Sequence, residues 1–336
     1  MPQRTQTRGL VFSAGLVLAA MLVSCGQSSM GPERGYPRGA FDFVAPSGAG
    51  GGWDLTIRTV ARVLKDTDLV SRPMPVRNHP GAGGSVHLAQ LQERRGNDST
   101  ITVYSPPLLL TYLNGTTDFS YKDTTPLACL IADYAVFVVS ADSPYRTLAD
   151  VIDSLRKDIK SVKVGGNSSA GSMDHLQFLL VARAAGIKNI QSIDYVSFDD
   201  SGAAMVLGGH IGLFSTSLSE FQSLIQSGDL RALAQTADHR VGEGAVAAIP
   251  TCIEQGVDAT FVNWRGLFGP PEMPGYAVDY WRDVLGRMVE TPEWAEACRT
   301  NLWDRSYLDA PRFSEFLDRV SLEYAGVLAD IGMLRK

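Results

Sequence analysis

Three glycine-rich turns carry most of the residues in this sequence that could bind a ligand. The first turn spans residues 46–54 (PSGAGGGWD) and joins a β-rich run to an amphipathic stretch. Glycines let backbone N–H groups approach a ligand closely, and the N-terminus of the following helix adds partial positive charge. The turn is therefore a candidate anion cradle, although a tight strand-to-helix turn alone would explain the same residues. Asp54 stands at an N-cap position and is expected to hold the turn.

A similar turn occurs at residues 165–172 (GGNSSAGS), where hydroxyl and amide groups precede a predicted helix that starts at Ser172. If this turn and the first one face each other across a cleft, two helix N-termini can bind one anion together. Each charge-assisted hydrogen bond contributes about 1.5–3 kcal/mol, so several of them supply the roughly 8 kcal/mol of a micromolar complex. His175 lies in the first turn of the helix and is expected to make a local structural contact.

Two further segments have supporting or open roles. The second glycine turn (NHPGAGGS) lies between a predicted strand and a predicted helix. We expect its Asn78, Gly81 and Gly83 to support the first turn rather than to touch the ligand. In the segment 263–266 (NWRG), Arg265 has the planar fork that binds carboxylates well. A structural arginine is equally compatible with this segment, and the residues alone do not decide between the two.

The sequence contains no arrangement of residues typical of an enzyme. The five histidines show no metal-ligand spacing and form no cluster with cysteines. The segment 166–170 (GNSSA) resembles the nucleophile elbow of hydrolases only loosely, since the closing glycine is displaced. The glycine turns lack both the Gly-Lys-Ser/Thr of a P-loop and the spacing of a dinucleotide fingerprint. The sequence therefore predicts a protein without catalytic residues, metal or cofactor.

Charge and cysteine content restrict the partners and the covalent chemistry. The chain has 336 residues and a formal net charge of −6, with no Lys/Arg block after the first 25 residues. We therefore expect no binding to nucleic acid. After residue 25 the number of cysteines is odd, so at most one disulfide can form, and small buried hydrophobes are favoured. These cysteines are Cys129, Cys252 and Cys298.

The first 25 residues are predicted to be an export signal rather than part of the fold. Arg4 and Arg8 flank the start of an apolar stretch over residues 9–23. That stretch, about 15 residues long, is shorter than the roughly 20 that a spanning helix needs. The residues Leu-Val-Ser-Cys that end at Cys25 match the cleavage box of bacterial lipoproteins. Lipidation of Cys25 would anchor the protein to the outer face of a membrane, with residues 26–40 as a flexible tether; an uncleaved anchor is the alternative.

The glycine turns lie within an alternation of β-rich runs and amphipathic stretches that begins with the run 41–45 (FDFVA). Such alternation is typical of an α/β protein with mostly parallel sheets, and the length favours two lobes. We place the crossings between the lobes near 139–143 and 261–265, with the ligand in the cleft between the lobes. The predicted lobes are residues 41–141 with 264–336 (lobe 1) and residues 142–263 (lobe 2).

Several motifs, in order, resemble the extracytoplasmic receptors of the tripartite tricarboxylate transporters. They are APSGAGGGWD (45–54), VRNHPGAGG (76–84), YSPPLLL (104–110), IADYAVFVVSADSPYRTL (131–148), VGGNSSAGSMDHL (164–176), LGGHIGL (207–213) and NWRGLFGPPEMP (263–274). The resemblance implies a two-lobed, type II periplasmic-binding-protein fold ("Venus flytrap") with a central cleft and no catalytic role. It also implies that the protein, which we expect to be a monomer, delivers a citrate-like carboxylate to an integral-membrane permease of one small and one large subunit.

The family binds a ligand carboxylate with the first glycine turn and the lobe-2 turn. The candidate ligand-binding residues in this sequence are Ser47, Gly50, Gly51, Gly52, Trp53, Ser105, Asn167, Ser168, Ser169, Gly171, Ser172 and Arg265. One departure concerns Gly212, where many relatives have Asp. If that acid recognises an amino or hydroxyl group, the ligand of this chain is expected to differ. The alternative function on the same fold is a sensor protein that presents its ligand to a histidine kinase.

Overall fold

The structure is a computed structural model that describes residues 1–3, 35–198 and 202–335. The predicted lipidation site Cys25 and most of the predicted leader and tether lie outside the described residues. The chain divides into two compact units, Met1–Gly31 and Pro32–Lys336, and every element below belongs to the second. In the described part of the chain, no helix combines the length and the apolar character needed to cross a membrane.

Strands and helices alternate along the second unit. The strands are β1 (Asp42–Ala45), β2 (Val76–Asn78), β3 (Thr100–Tyr104), β4 (Thr125–Ser140), β5 (Val164–Gly166), β6 (Tyr195–Ser197), β7 (Leu213–Ser217), β8 (Leu230–Gln235), β9 (Val262–Gly269) and β10 (Asp304–Asp309). The helices are α1 (Gly52–Asp66), α2 (Ser85–Gln92), α3 (Pro107–Leu113), α4 (Leu148–Lys157), α5 (Met173–Ala184), α6 (Gly202–Leu207), α7 (Leu218–Ser227), α8 (Gly275–Met288), α9 (Pro292–Thr300) and α10 (Ala310–Asp330). The α/β class predicted from the sequence is confirmed.

The strands form two groups that share the long strand β4. In lobe 1 the order is β2-β1-β3-β9-β4, and β10 pairs with the same half of β4. In lobe 2 the other half of β4 pairs with β7 and β8, and β7 continues to β5 and β6. Pairing is parallel in β2-β1-β3 and in β6-β5-β7, whereas the pairings of β4 and β9 are antiparallel. The prediction of mostly parallel sheets therefore holds only for the strands away from the crossings.

The lobes are joined where β4 and β9 run side by side. Tyr134 pairs with Val262 in lobe 1, and the next residue, Ala135, pairs with Ser217 in lobe 2. The first crossing thus lies inside β4 and before the predicted position, so residues 135–140, assigned above to lobe 1, pair with lobe-2 strands. The sequence does not reveal this position because β4 is buried almost throughout, and a continuous apolar run does not show which strands its residues pair with.

The C-terminal helix α10 packs across the junction and not against lobe 1 alone. It contacts α3 and β4 as well as α5 of lobe 2. Its Phe313 is fully buried against Trp264 of β9, with ring centroids 5.5 Å apart. An aromatic pair of this kind adds about 0.5–1.5 kcal/mol beyond the burial itself. Helix α10 therefore stabilises the segment that joins the two lobes.

Candidate functional site

A cavity of about 640 Å³ lies between the first glycine turn and lobe 2. Its volume is in the range of small-molecule sites, which is about 300–1,000 Å³. The lining residues are Gly50, Gly51, Gly52, Leu55, Asn167, Ser219, Glu220, Gln222, Arg265, Thr300 and Asn301. The structure thus brings the first turn and part of the lobe-2 turn to one cavity.

Asp54 is not the N-cap of α1, which is Gly51, but lies in the first turn of the helix and holds the glycine turn from there. Its Oδ2 accepts a hydrogen bond from the Gly50 amide (2.9 Å), and its Oδ1 accepts from Arg58 Nε (2.7 Å) and Asn78 Nδ2 (2.9 Å). Asn78 Nδ2 also donates to the Ser47 carbonyl (3.1 Å). Burial opposes the ionisation of Asp54, but these donors outweigh it and lower its pKa. Asp54 is therefore an ionised structural group whose charge is compensated by Arg58.

The amides of Gly51 and Gly52 remain available for a ligand. Neither donates to another described residue, because both precede the first hydrogen bond of α1, from the Leu55 amide to the Gly51 carbonyl (2.9 Å). Both residues line the cavity, where the N-terminus of α1 adds the positive end of the helix dipole. These two amides form the lobe-1 half of an anion site.

Arg265 is buried behind the first turn and is already paired. Its Nη2 lies 2.8 Å from Asp133 Oδ2, and its Nη1 donates to the Gly52 carbonyl (3.3 Å) and to Thr56 Oγ1 (3.1 Å). A Cβ at position 52 would lie 2.6 Å from Arg265 Nη2, so glycine is needed for this approach. The geometry favours the structural interpretation of Arg265, which the sequence left open.

Asp133 connects this arginine to lobe 2. Its Oδ2 also accepts a hydrogen bond from Ser219 Oγ (2.8 Å), and Ser219 lines the cavity from α7. Burial raises the pKa of Asp133 to about 6, although the charge of Arg265 acts in the opposite direction. Polar contacts therefore link the two walls of the cavity in the order Gly52, Arg265, Asp133, Ser219.

The second glycine turn supports the first one through Trp53. The turn packs against the Trp53 ring, since a Cβ at Gly84 would lie 3.1 Å from it. Gly81 and Gly83 have φ angles of 149° and 62°, which favour glycine. Trp53 Nε1 donates to Ser105 Oγ (2.9 Å), and Ser105 is buried. The indole N–H of Trp53 and the hydroxyl of Ser105 are thus hydrogen-bonded to each other.

The lobe-2 turn is held by Ser168 and by two side chains in the first turn of α5. The Ser168 amide donates to Asp174 Oδ2 (2.9 Å), and the Asp174 amide donates to Ser168 Oγ (2.8 Å). The Gly171 amide donates to His175 Nδ1 (3.0 Å), and burial lowers the pKa of His175 to about 4, so the ring is neutral. Asn167 is the member of the turn that lines the cavity.

The predicted ligand-binding residues divide into two groups. Those that line the cavity are Gly50, Gly51, Gly52, Asn167 and Arg265. Those outside the lining that use polar groups inside or beneath the turns are Ser47, Trp53, Ser105, Ser168 and Gly171. Ser169 and Ser172 also lie outside the lining and make backbone hydrogen bonds in the lobe-2 turn. The lining residues that the sequence reasoning missed are Leu55, Ser219, Glu220, Gln222, Thr300 and Asn301. For the lining residues on α7 (Ser219, Glu220 and Gln222), the only indication in the sequence is a run of polar residues at the start of an amphipathic helix.

The described residues include no group of three or more His, Cys, Asp or Glu side chains that could hold a metal ion. The cysteines at positions 129, 252 and 298 are all buried and free. Burial raises the pKa of each of these thiols to about 12. They are packing residues rather than reactive groups.

A family model described as "Tripartite tricarboxylate transporter family receptor" (TctC) matches residues 57–332. The chain belongs to this family. The resemblance carried by the sequence motifs is thereby confirmed. Receptors of this family bind a solute for a transporter, so this TctC receptor is a solute-binding protein that acts outside the cytoplasm, and not an enzyme.

Known proteins similar to this TctC receptor share nearly its whole length. A Cupriavidus necator protein named "UPF0065 protein in gbd 5'region" is 22% identical over 98% of this chain and 99% of its own. A TctC solute-binding protein from Polaromonas has 24% identity and a TM-score of 0.71, covering 88% of this chain and 99% of that chain. A Rhodopseudomonas palustris protein solved with adipate has 19% identity and a TM-score of 0.76, covering 88% and 98%. The two-lobed fold is confirmed.

Asp174 should make the stability of the receptor depend on pH. Burial, reinforced by the charge of Glu220, raises the pKa of Asp174 from 3.8 to about 7. A carboxyl group with a raised pKa contributes stability that is complete below the unfolded pKa and is lost as the pH rises through the folded pKa, here between about pH 4 and pH 7. His87 and His175, whose pKa values are lowered to about 4, act in the opposite direction below about pH 6.5.

Asp174→Asn isolates this effect because the asparagine Oδ1 can still accept the Ser168 amide. We expect the unfolding free energy of the variant, minus that of the wild type, to increase from pH 5 to pH 8. The increase should be about 1.4 kcal/mol for each unit by which the pKa of Asp174 is raised within this range. Urea unfolding at both pH values measures it, and the two histidines cancel in the difference. A difference that does not change with pH would contradict the assignment.

Proposed function

We propose that this receptor captures a small carboxylate, citrate or another tri- or dicarboxylate, in the cleft between its lobes. It would deliver the ligand to the small and large permease subunits of a tripartite tricarboxylate transporter. The observation that carries the proposal is the pair of free amides of Gly51 and Gly52 at a helix N-terminus, facing a cavity that Asn167 closes from lobe 2. The R. palustris neighbour solved with a dicarboxylate, adipate, supports the ligand class.

The energy of such contacts is sufficient for a transport receptor. Each charge-assisted hydrogen bond contributes about 1.5–3 kcal/mol, and a micromolar complex needs roughly 8 kcal/mol. Two amides of the first turn and the side-chain amide of Asn167 provide donors from both lobes for one carboxylate. Contacts from both lobes also make the closed arrangement more stable with ligand than without it.

We further propose that the mature receptor is a monomer tethered by a lipid on Cys25. This places the cleft outside the cytoplasm, near the permease, while residues 26–40 leave the lobes free to move. The support is the lipoprotein cleavage box in the sequence.

Ligand binding is expected to raise the melting temperature of the purified receptor. A ligand that binds only the folded state at a hundred times its Kd stabilises that state by about 2.7 kcal/mol. The measurement is a thermal-shift series with citrate, tricarballylate, succinate, glutarate and adipate, followed by calorimetric titration of the compounds that shift the transition. No shift with any carboxylate at millimolar concentration would overturn the proposed function.

A further inference from the structure

The two walls of the cavity differ in electrostatic character. The lobe-1 wall presents the free amides of Gly51 and Gly52 and the positive end of the α1 dipole. The lobe-2 wall presents Glu220, which lies in the first turn of α7 and is exposed to the cavity. A ligand that fills the cavity therefore meets donors on one side and a carboxylate on the other.

No cation of the described residues forms an ion pair with Glu220. Arg265 is the one cationic side chain among the described lining residues, and it is paired with Asp133 at 2.8 Å. Glu220 Oε2 accepts a hydrogen bond from Thr216 Oγ1 (3.0 Å), while its Oε1 accepts none from the described residues. One oxygen of Glu220 is thus held in place and the other is available to a ligand.

Two buried carboxyl groups lie beneath this wall, Asp133 bonded to Ser219 and Asp174 bonded to the Ser168 amide. The charge of Glu220 contributes to the raised pKa of both Asp133 and Asp174. Asp133 Oδ1 is fully buried and has no hydrogen-bond partner in the described part of the chain. A second ligand carboxylate placed next to Glu220 would be repelled by its charge, whereas a protonated amine at the same place would be attracted.

We propose that Glu220 is a specificity-determining residue that makes this receptor select carboxylates that also carry a protonated amine. The ligand carboxylate would bind the amides of Gly51 and Gly52, and the ammonium group would donate to Glu220 Oε1. This inference rests on the proposed function, because it assigns the ligand class of the same cavity. Amino-dicarboxylates remain within that class if their second carboxylate points away from α7.

Matched pairs of ligands test the inference by calorimetric titration of the full mature receptor. The pairs are succinate with aspartate and glutarate with glutamate, which differ only in the amino group. We expect the wild type to bind the amino member of at least one pair about ten- to hundredfold more tightly, as a charge-assisted hydrogen bond allows. Glu220→Gln keeps the size of the side chain and an oxygen for Thr216, and it should reduce that preference to near one.

The control variant is Glu315→Gln, which removes an exposed acidic group of α10 outside the cavity lining. It should keep the wild-type preference, so that a general effect of net charge is distinguished from a local one. Tighter binding of the diacids by the wild type, or an unchanged preference in Glu220→Gln, would overturn this inference and leave the proposed function standing. Failure of every carboxylate to bind would overturn both.

Discussion

Arg265→Met should lower the free energy of unfolding by about 3–5 kcal/mol, the usual cost of removing one partner from a buried ion pair. The side chains of Arg265 and Asp133 are 5% and 0% exposed, so water cannot replace the lost charge. The Gly52 carbonyl and Thr56 lose donors at the same time. Denaturant unfolding at pH 7.5 measures the loss, and a change below about 1 kcal/mol would show that the pair does not hold the turn.

The double variant Arg265→Met/Asp133→Asn is the matched control for this prediction. It removes the buried charge that the single variant leaves without a partner, so it should recover part of the lost stability. The loss in the single variant should also be smaller at pH 5. Burial already raises the pKa of Asp133 to about 6 with Arg265 present, and without the arginine the carboxyl group is neutral more readily.

Gly51→Val should weaken carboxylate binding at least about a hundredfold while the fold stays intact, since two charge-assisted hydrogen bonds are lost. Gly51 has φ −70° and ψ 167°, an extended conformation that valine adopts readily. A Cβ there would lie 3.5 Å from the nearest atom, the Gly48 carbonyl oxygen, which is an ordinary contact. Because Gly51 lines the cavity, we expect a branched side chain there to hinder the approach of a ligand to the two amides. The measurement is calorimetric titration with a carboxylate that binds the wild type, combined with a melting curve.

Gly48→Val is the control in the same turn. A Cβ at Gly48 has no atom within 4 Å, and Gly48 does not belong to the cavity lining among the described residues. Affinity should therefore be close to that of the wild type. Gly52 is unsuitable for this comparison because its Cβ would displace Arg265. Retained affinity in Gly51→Val would show that the first turn does not hold the ligand.

The parts of the fold that depend on local sequence were predictable. Gly-rich segments mark the strand-to-helix turns, and α5 begins next to Ser172 as expected. Helix α1 begins earlier than predicted, at Gly52, with Gly51 rather than Asp54 as its N-cap. The role of Asp54 as a group that holds its own turn follows from a contact four residues away, with Gly50. Short-range hydrogen bonds of this kind can be predicted from the sequence because both partners lie in one motif.

The parts that depend on distant partners were not predictable from one sequence. Arg265 could be a ligand group or a structural group until its position beside Asp133, far away along the chain, was known. The lobe-2 turn offers hydroxyls in its sequence, but Ser168 uses its groups on Asp174. Glu220 reaches the cavity through the pairing of β7 with β4, which no local pattern shows.

The buried cysteines make the receptor suitable for fluorescence labelling. Maleimide dyes react with accessible thiolates, and Cys129, Cys252 and Cys298 are buried with pKa values raised to about 12. In a chain that starts after Cys25, two cysteines introduced on the surface, one on each lobe, would then be the only sites to take a dye. Energy transfer between two such dyes would follow the closing of the cleft without replacement of any native thiol.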